Sequence, residues 1–248
     1  MYDFYFGTKK ENEKDPKKYL LTIKRMLPRW ANSIPDSKYL AIYDCLNEFK
    51  LPQKPVFVET GSGASSIVLV YFALLKKGEL YTWDINGSKL YFLRSVVTDT
   101  LMKFFDKQNI TNHWKCIAFN SISPYAGISI LKEMKKKVSA CFFDSEHTWQ
   151  ILKKEVTYTI EVMAEKGIIA IDDGNYNYIK ENTAYINMIR RKLNLPEITL
   201  ENNTGEPFWQ KVEKISGLYL MSRIVIKKLI KLTFSELISE VTGLLWLI

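Results

Sequence analysis

The chain has 248 residues, of which 47% are hydrophobic and 25% are charged, and its formal net charge is +8. This length and composition predict one α/β domain with appended segments and a sizeable core. Lysine is abundant along the whole chain, so the charge indicates a bias of composition rather than a nucleic-acid partner. The three cysteines show neither metal-site nor disulfide spacing, which fits a cytoplasmic protein. We expect no signal peptide and no membrane-spanning helix.

Residues 1–50 are predicted to form an N-terminal helical extension. Residues 1–14 are polar and rich in Lys and Glu, which indicates a mobile arm. Asp15 followed by Pro16 is a typical helix start, and a second helix is expected to begin near Asp36. Such an extension covers the sheet or the active site, or makes a dimer contact, and we expect a homo-oligomer. The apolar faces of the two helices comprise Tyr19, Leu20, Ile23 and Met26 in the first, and Leu40, Ile42, Tyr43 and Leu46 in the second.

From Pro55 onward, strand-like and helix-like segments alternate, which predicts a mainly parallel sheet with helices on both faces. Ligands bind such sheets at the carboxyl ends of the strands. The predicted strands are 56–60, 79–84, 114–119, 139–144 and 167–172. The predicted helices are 64–77, 88–107, 127–137, 147–165 and 177–193. The residues at the strand ends are mostly acidic: Glu59, Asp84, Asn120, Asp144, Asp172 and Asp173.

The segment 56–66 has the pattern of a buried strand, a glycine turn and a helix start. Gly61 and Gly63 allow the chain to turn and a ligand to approach the backbone. Free N–H groups at the helix N-terminus suit anionic or polar groups of a ligand. Ser66 stands where the dinucleotide-binding fingerprint has its third glycine. An ordinary strand-to-helix turn is the alternative interpretation.

Acidic residues at the ends of three predicted strands indicate two ligand sites. Asp84 follows the glycine turn by about 20 residues, where a carboxylate can accept both hydroxyls of a ribose. Asp144 and Asp172 end two strands joined by one helix, and Asp173 follows directly. Three converging carboxylates repel one another unless a cation lies between them, and oxygen ligands suit Mg²⁺. In the alternative, Asp173 caps a turn and two acids face the site.

The two histidines have different expected roles. His147 lies shortly after Asp144 at the expected start of a helix, and its unperturbed pKa near 6.5 suits a general base. A helix cap or a surface residue is the alternative for His147. His113 precedes a predicted strand and is expected at the surface.

The C-terminal part of the chain has a different pattern. Residues 216–225 are predicted to form one more strand, with a partner near 207–213. Residues 226–248 form a basic amphipathic helix in this prediction, with lysines at its start and Trp246 near its end. Such a helix suits peripheral contact with a membrane surface. Packing on its own domain or on a second subunit is the alternative.

Taken together, residues 55–175 resemble the class I S-adenosylmethionine-dependent methyltransferases. More narrowly they resemble the metal-dependent small-molecule O-methyltransferases of the macrocin O-methyltransferase-like and cephalosporin hydroxylase-like group. The resemblance implies a Rossmann-like, doubly wound, seven-stranded and mostly parallel sheet over residues 51–225. Ser145 and Glu146 depart from the family's Asp-Gly-Asp-His segment. The motifs that carry the resemblance are 58–63, Asp84, 120–121, 144–147 and 172–173.

The resemblance implies S-adenosylmethionine and Mg²⁺ as cofactors and assigns residues to them. The implied metal ligands are Asp144, Asp172 and Asp173. The implied catalytic residues are His147, as the base, and Asp144. The implied cofactor-binding residues are Glu59, Thr60, Gly61, Ser62, Gly63, Ser65, Ser66, Asp84, Asn120, Ser121 and Asp144.

The implied reaction is Mg²⁺-assisted transfer of a methyl group to a hydroxyl of a small molecule. The Asn- and Tyr-rich loop after Asp173 suits a saccharide or glycosylated metabolite, and an ordinary surface loop is the alternative interpretation. A phenolic hydroxyl stays open as the acceptor. An NAD(P)-dependent oxidoreductase shares the turn and the distal acid, but Ser66 and the three carboxylates count against it. A non-catalytic membrane-associated module built on 226–248 is the third class, and converging buried charges count against it.

Overall fold

The computed structural model describes residues 2–101, 104–105, 107–174, 180–192, 194–197 and 245–247. The N-terminal extension consists of helices α1 (Tyr2–Phe6), α2 (Lys9–Lys14), α3 (Pro16–Met26) and α4 (Asp36–Glu48), with a 3₁₀ turn at Arg29–Ala31.

The first two helices of the extension were not predicted, whereas the start of α3 confirms the prediction. Helices α1 and α2 lie where the sequence predicts a mobile arm without helices, and the Thr8 and Glu11 side chains form a capping box that starts α2. The carboxylate of Asp15 caps α3 with Pro16 in the first turn, as predicted. Met26 is 58% exposed although it was expected on the apolar face, since α3 ends there.

The central sheet has six strands among the described residues, where the sequence predicts seven. They are β1 (Val56–Thr60), β2 (Glu79–Trp83), β3 (Trp114–Ile117), β4 (Val138–Phe143), β5 (Met163–Ile171) and β6 (Leu245–Leu247). The order across the sheet is β3-β2-β1-β4-β5-β6. The first five strands are parallel, and β6 runs antiparallel to β5.

The last strand corrects part of the C-terminal prediction. Leu245–Leu247 pairs with the end of β5, so the helix predicted over 226–248 does not include these three residues. Their Leu-Trp-Leu sequence suits a strand, and it covers an edge that would otherwise leave backbone groups unpaired. The predicted strands 207–213 and 216–225 and the rest of the predicted helix lie outside the described residues.

Helices pack on both faces of the sheet, as the alternating pattern predicts. They are α5 (Ser65–Leu75), α6 (Gly87–Leu101), α7 (Lys107–His113), α8 (Ile130–Glu133), α9 (Trp149–Ile160) and α10 (Lys180–Lys192). Side chains alternate along each strand: Phe57 and Phe142 pack with α3 to α7, whereas Val58 and Cys141 pack with α8 and α9. The helix predicted over 88–107 is shorter, and α7 was not predicted.

The strand order reverses between β1 and β4, and the glycine turn follows directly on the last residue of β1. β1 pairs with β2 on one side and with β4 on the other, and all three end at the same edge. We call this edge, where Thr60, Trp83, Phe143 and Ile171 end their strands, the carboxyl edge. Open α/β sheets bind ligands at such a reversal, outside the carboxyl ends of the strands.

Candidate functional site

Gly61 joins the glycine turn to the acidic loop that follows β4. Its φ is +78°, and a Cβ placed on it would lie 1.8 Å from the carbonyl oxygen of Asp144. The backbone N–H of Asp144 donates to the Thr60 carbonyl at 2.8 Å. Only glycine fits such a backbone conformation and approach. The turn and the acidic loop are therefore in direct contact at the carboxyl edge.

The N–H groups of residues 61–63, in the turn before α5, are engaged within the protein. The N–H of Gly61 donates to the Trp83 carbonyl at 2.9 Å. That of Ser62 donates to Asp84 Oδ2 at 2.9 Å, and that of Gly63 donates to Ser66 Oγ at 3.2 Å. The space beside Gly63 is open, since the nearest atom to an added Cβ is the Ala31 carbonyl oxygen at 3.7 Å. A ligand would approach this turn along the Gly63 backbone.

Glu59 holds the turn from inside the protein. It is fully buried and accepts hydrogen bonds from Ser65 Oγ, Ser66 Oγ and Thr82 Oγ1 at 2.7 to 2.8 Å. Burial raises its pKa to about 7 against these hydrogen bonds, which lower it. The side chains of Glu59, Ser65 and Ser66 thus point into the interior, where the prediction had them contact a cofactor. The Thr60 side chain is buried as well.

Asp84 lies directly after β2, as predicted, with its carboxylate beside the glycine turn. Its Oδ2 accepts from the N–H and from the hydroxyl of Ser62, at 2.9 and 2.6 Å. The ammonium of Lys89 lies 3.5 Å from the same oxygen, and the N–H of Asn86 donates to Oδ1. The carboxylate is thus fixed at the carboxyl edge with lone pairs left for a ligand hydroxyl.

The predicted pair at 120–121 divides into one exposed and one buried residue. Asn120 is exposed, and its side chain accepts from the Ile122 N–H at 3.0 Å. Ser121 is buried and donates to Glu155 Oε1 at 2.5 Å. Burial raises the pKa of Glu155 to about 7, and hydrogen bonds from Ser121 and neighbouring hydroxyls lower it. Apolar Phe119, next to Asn120, is 58% exposed.

Asp144, His147 and Asp172 converge at the carboxyl edge, where the sequence predicts Asp144, Asp172 and Asp173 as metal ligands. Their candidate ligand atoms all lie within 4.8 Å of one another. His147 Nε2 lies 3.3 Å from Asp144 Oδ1 and 3.6 Å from Asp172 Oδ2. Asp173 is more distant, with Oδ2 at 3.9 Å from the same nitrogen and its side chain 45% exposed. Nε2 itself is buried and meets no aligned hydrogen-bond partner among the described residues.

A lysine from the N-terminal extension completes this cluster. Lys38 Nζ lies 2.8 Å from Asp172 Oδ1 and 2.6 Å from Asp173 Oδ1. The lysine belongs to α4 and is buried, with 10% of its side chain exposed. Burial opposes its charge, but the two carboxylates outweigh that effect and raise its pKa. Sequence reasoning placed a cation between these carboxylates and missed that the chain supplies one.

The charges of the cluster shift the pKa values of its members. Burial and repulsion from Asp172 raise the pKa of Asp144 to about 6. Burial also disfavours the charged form of Asp172, yet His147 and Lys38 hold its pKa below the ordinary value. Burial likewise opposes charge on His147, but attraction to Asp144 and Asp172 raises its pKa to about 10. Without another cation, the imidazole therefore keeps its proton at neutral pH.

Two members of the cluster adopt backbone conformations that are uncommon outside glycine. His147 has φ +55° and Asp173 has φ +50°. His147 therefore lies in the loop, where the prediction had it begin a helix; α9 begins at Trp149. Non-glycine residues in this region cost free energy and persist where surrounding contacts hold them. Here the ion pairs described above hold both residues.

The donor set could hold a divalent cation, although it mixes carboxylates, which suit Mg²⁺ or Mn²⁺, with an imidazole, which suits transition metals. Two carboxylates and an imidazole nitrogen without an aligned partner face one another, as ligands of such an ion do. This set contains His147, whereas the predicted set had Asp173 as the third ligand. The predicted surface residue His113 is part-buried instead, because its ring nitrogen contacts the Gly78 carbonyl.

Two buried charged residues near the site escaped the sequence reasoning, although the sequence holds a signal for each. Lys38 shares the buried stripe of α4 with Ile42 and Leu46, at positions four residues apart. Glu155 lies on the buried stripe of α9, next to Val156. A charged residue on an apolar helical stripe is rarely buried unless it is paired. Such a residue predicts a partner on the sheet.

Comparison with solved structures finds methyltransferases among the similar chains. No family model matches the chain, and no curated protein matches it. The chain is similar to CalS11, a TDP-rhamnose 3′-O-methyltransferase of calicheamicin biosynthesis, at 14% identity over 79% of this chain and 92% of that one. The TM-score is 0.46, and that of a second CalS11 structure is 0.48.

A further similar structure is the MycE methyltransferase from the mycinamycin biosynthetic pathway in complex with Mg and SAH. It has 13% identity over 55% of this chain and 34% of that one, with a TM-score of 0.38. At such identities and scores the likeness assigns no activity to this chain. Separately, none of the helices in the described part of the chain has the length and hydropathy that crossing a bilayer requires.

Proposed function

We propose that this protein is an S-adenosylmethionine-dependent methyltransferase that acts on a hydroxyl group of a small molecule with the help of a divalent cation. One observation carries the proposal. The loop that bears Asp144 and His147 lies against the glycine turn at Gly61, so the carboxylate cluster and the turn form one site. Both halves lie at the carboxyl edge, next to the strand reversal.

The residues for the cofactor lie along the first two strands. The open backbone at Gly63 and the carboxylate of Asp84 would hold its methionine and ribose parts. The exposed apolar side chains of Ile85 and Phe119, beside Asp84 and Asn120, suit the flat base of a nucleoside. S-adenosylmethionine supplies an already activated methyl group when it is bound. The protein's task is then to align the acceptor hydroxyl with it.

The carboxylates for the cation are Asp144 and Asp172. His147 lies beside them and is the base in this proposal, since a ring nitrogen bound to the cation could not accept a proton. A bound Mg²⁺ or similar ion supplies Lewis acidity that lowers the pKa of an acceptor hydroxyl. His147 accepts the hydroxyl proton in this proposal only when the carboxylate charge beside it is otherwise balanced. In the cluster as described, its pKa of about 10 leaves the proton on the ring. A saccharide or glycosylated metabolite is the acceptor that we favour.

Calorimetric titration with S-adenosylhomocysteine, and separately with NADH, tests the proposal. We expect micromolar binding of S-adenosylhomocysteine and no binding of NADH. Asp84→Asn is expected to weaken this binding about tenfold or more, because one charged hydrogen-bond acceptor is lost. Asp44→Asn, which removes a surface carboxylate paired with Lys17, is the matched control and should have no effect. Binding of NADH alone, or of neither ligand, would contradict the proposal.

A further inference from the structure

Lys38 links two parts of the chain that are far apart in sequence. Its ammonium lies between the carboxylates of Asp172 and Asp173, and 10% of its side chain is exposed. The carboxylates follow β5, whereas the lysine comes from α4 in the N-terminal extension. A buried lysine is costly unless its charge is paired, and here two charges pair it. The contact is therefore a built ion pair rather than a chance surface contact.

The same carboxylate of Asp172 serves both the lysine and the candidate cation site. Its Oδ1 contacts Lys38 Nζ at 2.8 Å, and its Oδ2 lies 3.6 Å from His147 Nε2. A divalent cation among Asp144, His147 and Asp172 would meet the positive charge of Lys38 across one carboxyl group. Like charges at that separation repel strongly in a partly buried setting.

We propose that Lys38 is a built-in competitor of the divalent cation and sets the affinity of the cluster for it. Lys38 balances the carboxylates while the cation is absent, and binding of the cation weakens the hold of Asp172 and Asp173 on α4. The inference rests on the cation of the proposed function. It adds that the N-terminal extension, which also reaches the glycine turn at Ala31, responds to the cation.

Titration with Mn²⁺ alone, followed by electron paramagnetic resonance, tests this competition without any activity assay. We compare the full-length chain with Lys38→Met and Lys38→Arg. Lys38→Met is expected to bind Mn²⁺ about tenfold or more tightly than the unaltered chain, because a unit charge next to the site is removed. Lys38→Arg keeps the charge and should stay within about threefold of the unaltered chain. Lys17→Met removes the lysine that joins α3 to Asp44 of α4 and should change nothing.

Hydrogen exchange of the unaltered chain gives a second test that does not depend on a variant folding. Mn²⁺ is expected to speed exchange of the α4 amides and to leave those of α3 unchanged. Unchanged exchange in α4, equal Mn²⁺ affinity of Lys38→Met and the unaltered chain, or no Mn²⁺ binding by any variant would each overturn the inference. S-adenosylhomocysteine binding in the same samples shows whether the proposed function stands when the inference fails.

Discussion

The two edges of the sheet both hold charged residues with left-handed backbone, but for different reasons. At the amino edge, where the strands begin, Lys77 and Lys135 have φ near +54°. Each follows the end of a helix. The N–H of Lys77 donates to the Leu74 carbonyl and that of Gly78 to the Ala73 carbonyl, which is the Schellman pattern of a helix end. Local helix termination therefore explains these residues.

The charge of the amino edge has an equally local cause. A cavity of about 850 Å³ there is lined by five lysines and one carboxylate, and the lysines are exposed or half-buried. Helices that cross over between parallel strands end at this edge, and lysines favour helix C-termini. Glu79, the carboxylate, pairs with Lys136 at 2.5 Å. No ligand is needed to account for this basic surface.

The carboxyl edge differs because two of its charges, those of Lys38 and Asp172, are buried, and the charges of the cluster depend on one another. His147 and Asp173 follow strands rather than helices, and ion pairs hold their left-handed backbone. Left-handed conformation and a cluster of like charges thus occur at both edges. What distinguishes a candidate site is burial, which forces a charge to find a partner.

The largest expected effect is that of removing the central carboxylate. Asp172→Asn should lower the rate of methyl transfer roughly 10³-fold or more, since it removes a cation ligand and the partner of Lys38. Formation of S-adenosylhomocysteine with a hydroxyl acceptor measures the rate. Glu79→Gln alters the carboxylate of the amino edge and should leave the rate unchanged. Equal losses of rate in the two variants would show that the carboxyl edge has no special role in the reaction.

The second prediction separates two roles for the imidazole at the carboxyl edge. His147→Gln should lower the rate about 10²–10⁴-fold if the ring accepts the hydroxyl proton. Mn²⁺ affinity measured on the same variant distinguishes the roles, because loss of a cation ligand weakens Mn²⁺ binding and loss of a base does not. A loss of rate below tenfold would remove His147 from the chemistry.

The third prediction concerns the contact between the glycine turn and the acidic loop. Gly61→Ala should lower the free energy of unfolding by about 3 kcal/mol or more, since the added Cβ meets the Asp144 carbonyl at 1.8 Å and φ is +78°. Gly63→Ala is the matched control, because its Cβ meets nothing nearer than 3.7 Å. Denaturant unfolding of both variants checks this, and equal stabilities would show that the contact is not tight.

The fourth prediction concerns the pH dependence of stability that follows from burial of Glu59 beneath the glycine turn. The pKa of Glu59 is raised from 4.5 to about 7 in the folded protein, mainly by burial. The folded state therefore binds this proton more tightly, and its contribution to stability is lost as pH rises from about 4.5 through 7. That loss amounts to about 3 kcal/mol. Glu59→Gln should remove it, so the stability difference between variant and unaltered chain should change by that amount between pH 5 and pH 8. An unchanging difference would contradict the shift.

The smallest effect is expected at the amino edge. Lys77→Gly should raise the free energy of unfolding by about 0.5–1 kcal/mol. Glycine adopts the left-handed conformation of this helix end without strain, and the Lys77 side chain is exposed. Thermal and denaturant unfolding would measure this rise, with cofactor binding unchanged. A lower stability, or weaker binding of S-adenosylhomocysteine, would show that the amino edge does more than end helices.

The sequence predicts the strands well because buried parallel strands are short apolar runs between turn residues. β1 matches its predicted bounds, and the acids that follow β2, β4 and β5 lie where expected. Helix bounds are less accurate in the connections around α7 and α8, where polar residues dominate. The arm at 1–14 shows why composition misleads, since one capping box at Thr8 and Glu11 is enough to form a helix.

The sequence predicts the acidic residues of the site but not the residues that pair with them. Asp144 and Asp172 each follow a predicted strand, and one helix joins these strands. Such a crossover puts the two strand ends side by side, so the sequence predicts that the two acids lie close together. It does not show which way a side chain points, and so Glu59 was placed toward a ligand, although hydroxyls of α5 and β2 hold it in the interior. Lys38 escaped because it lies 134 residues from its partner Asp172 in the chain. Pairing over that distance depends on how the extension packs.

The most direct test of this account is a crystal structure with Mn²⁺ and S-adenosylhomocysteine, with the metal located by anomalous scattering. The account predicts one Mn²⁺ bound by Asp144 and Asp172, the Lys38 ammonium withdrawn from Asp172, and S-adenosylhomocysteine along the Gly63 backbone with its ribose on Asp84. Mn²⁺ at another place with Lys38 still paired, or S-adenosylhomocysteine away from the carboxyl edge, would contradict it.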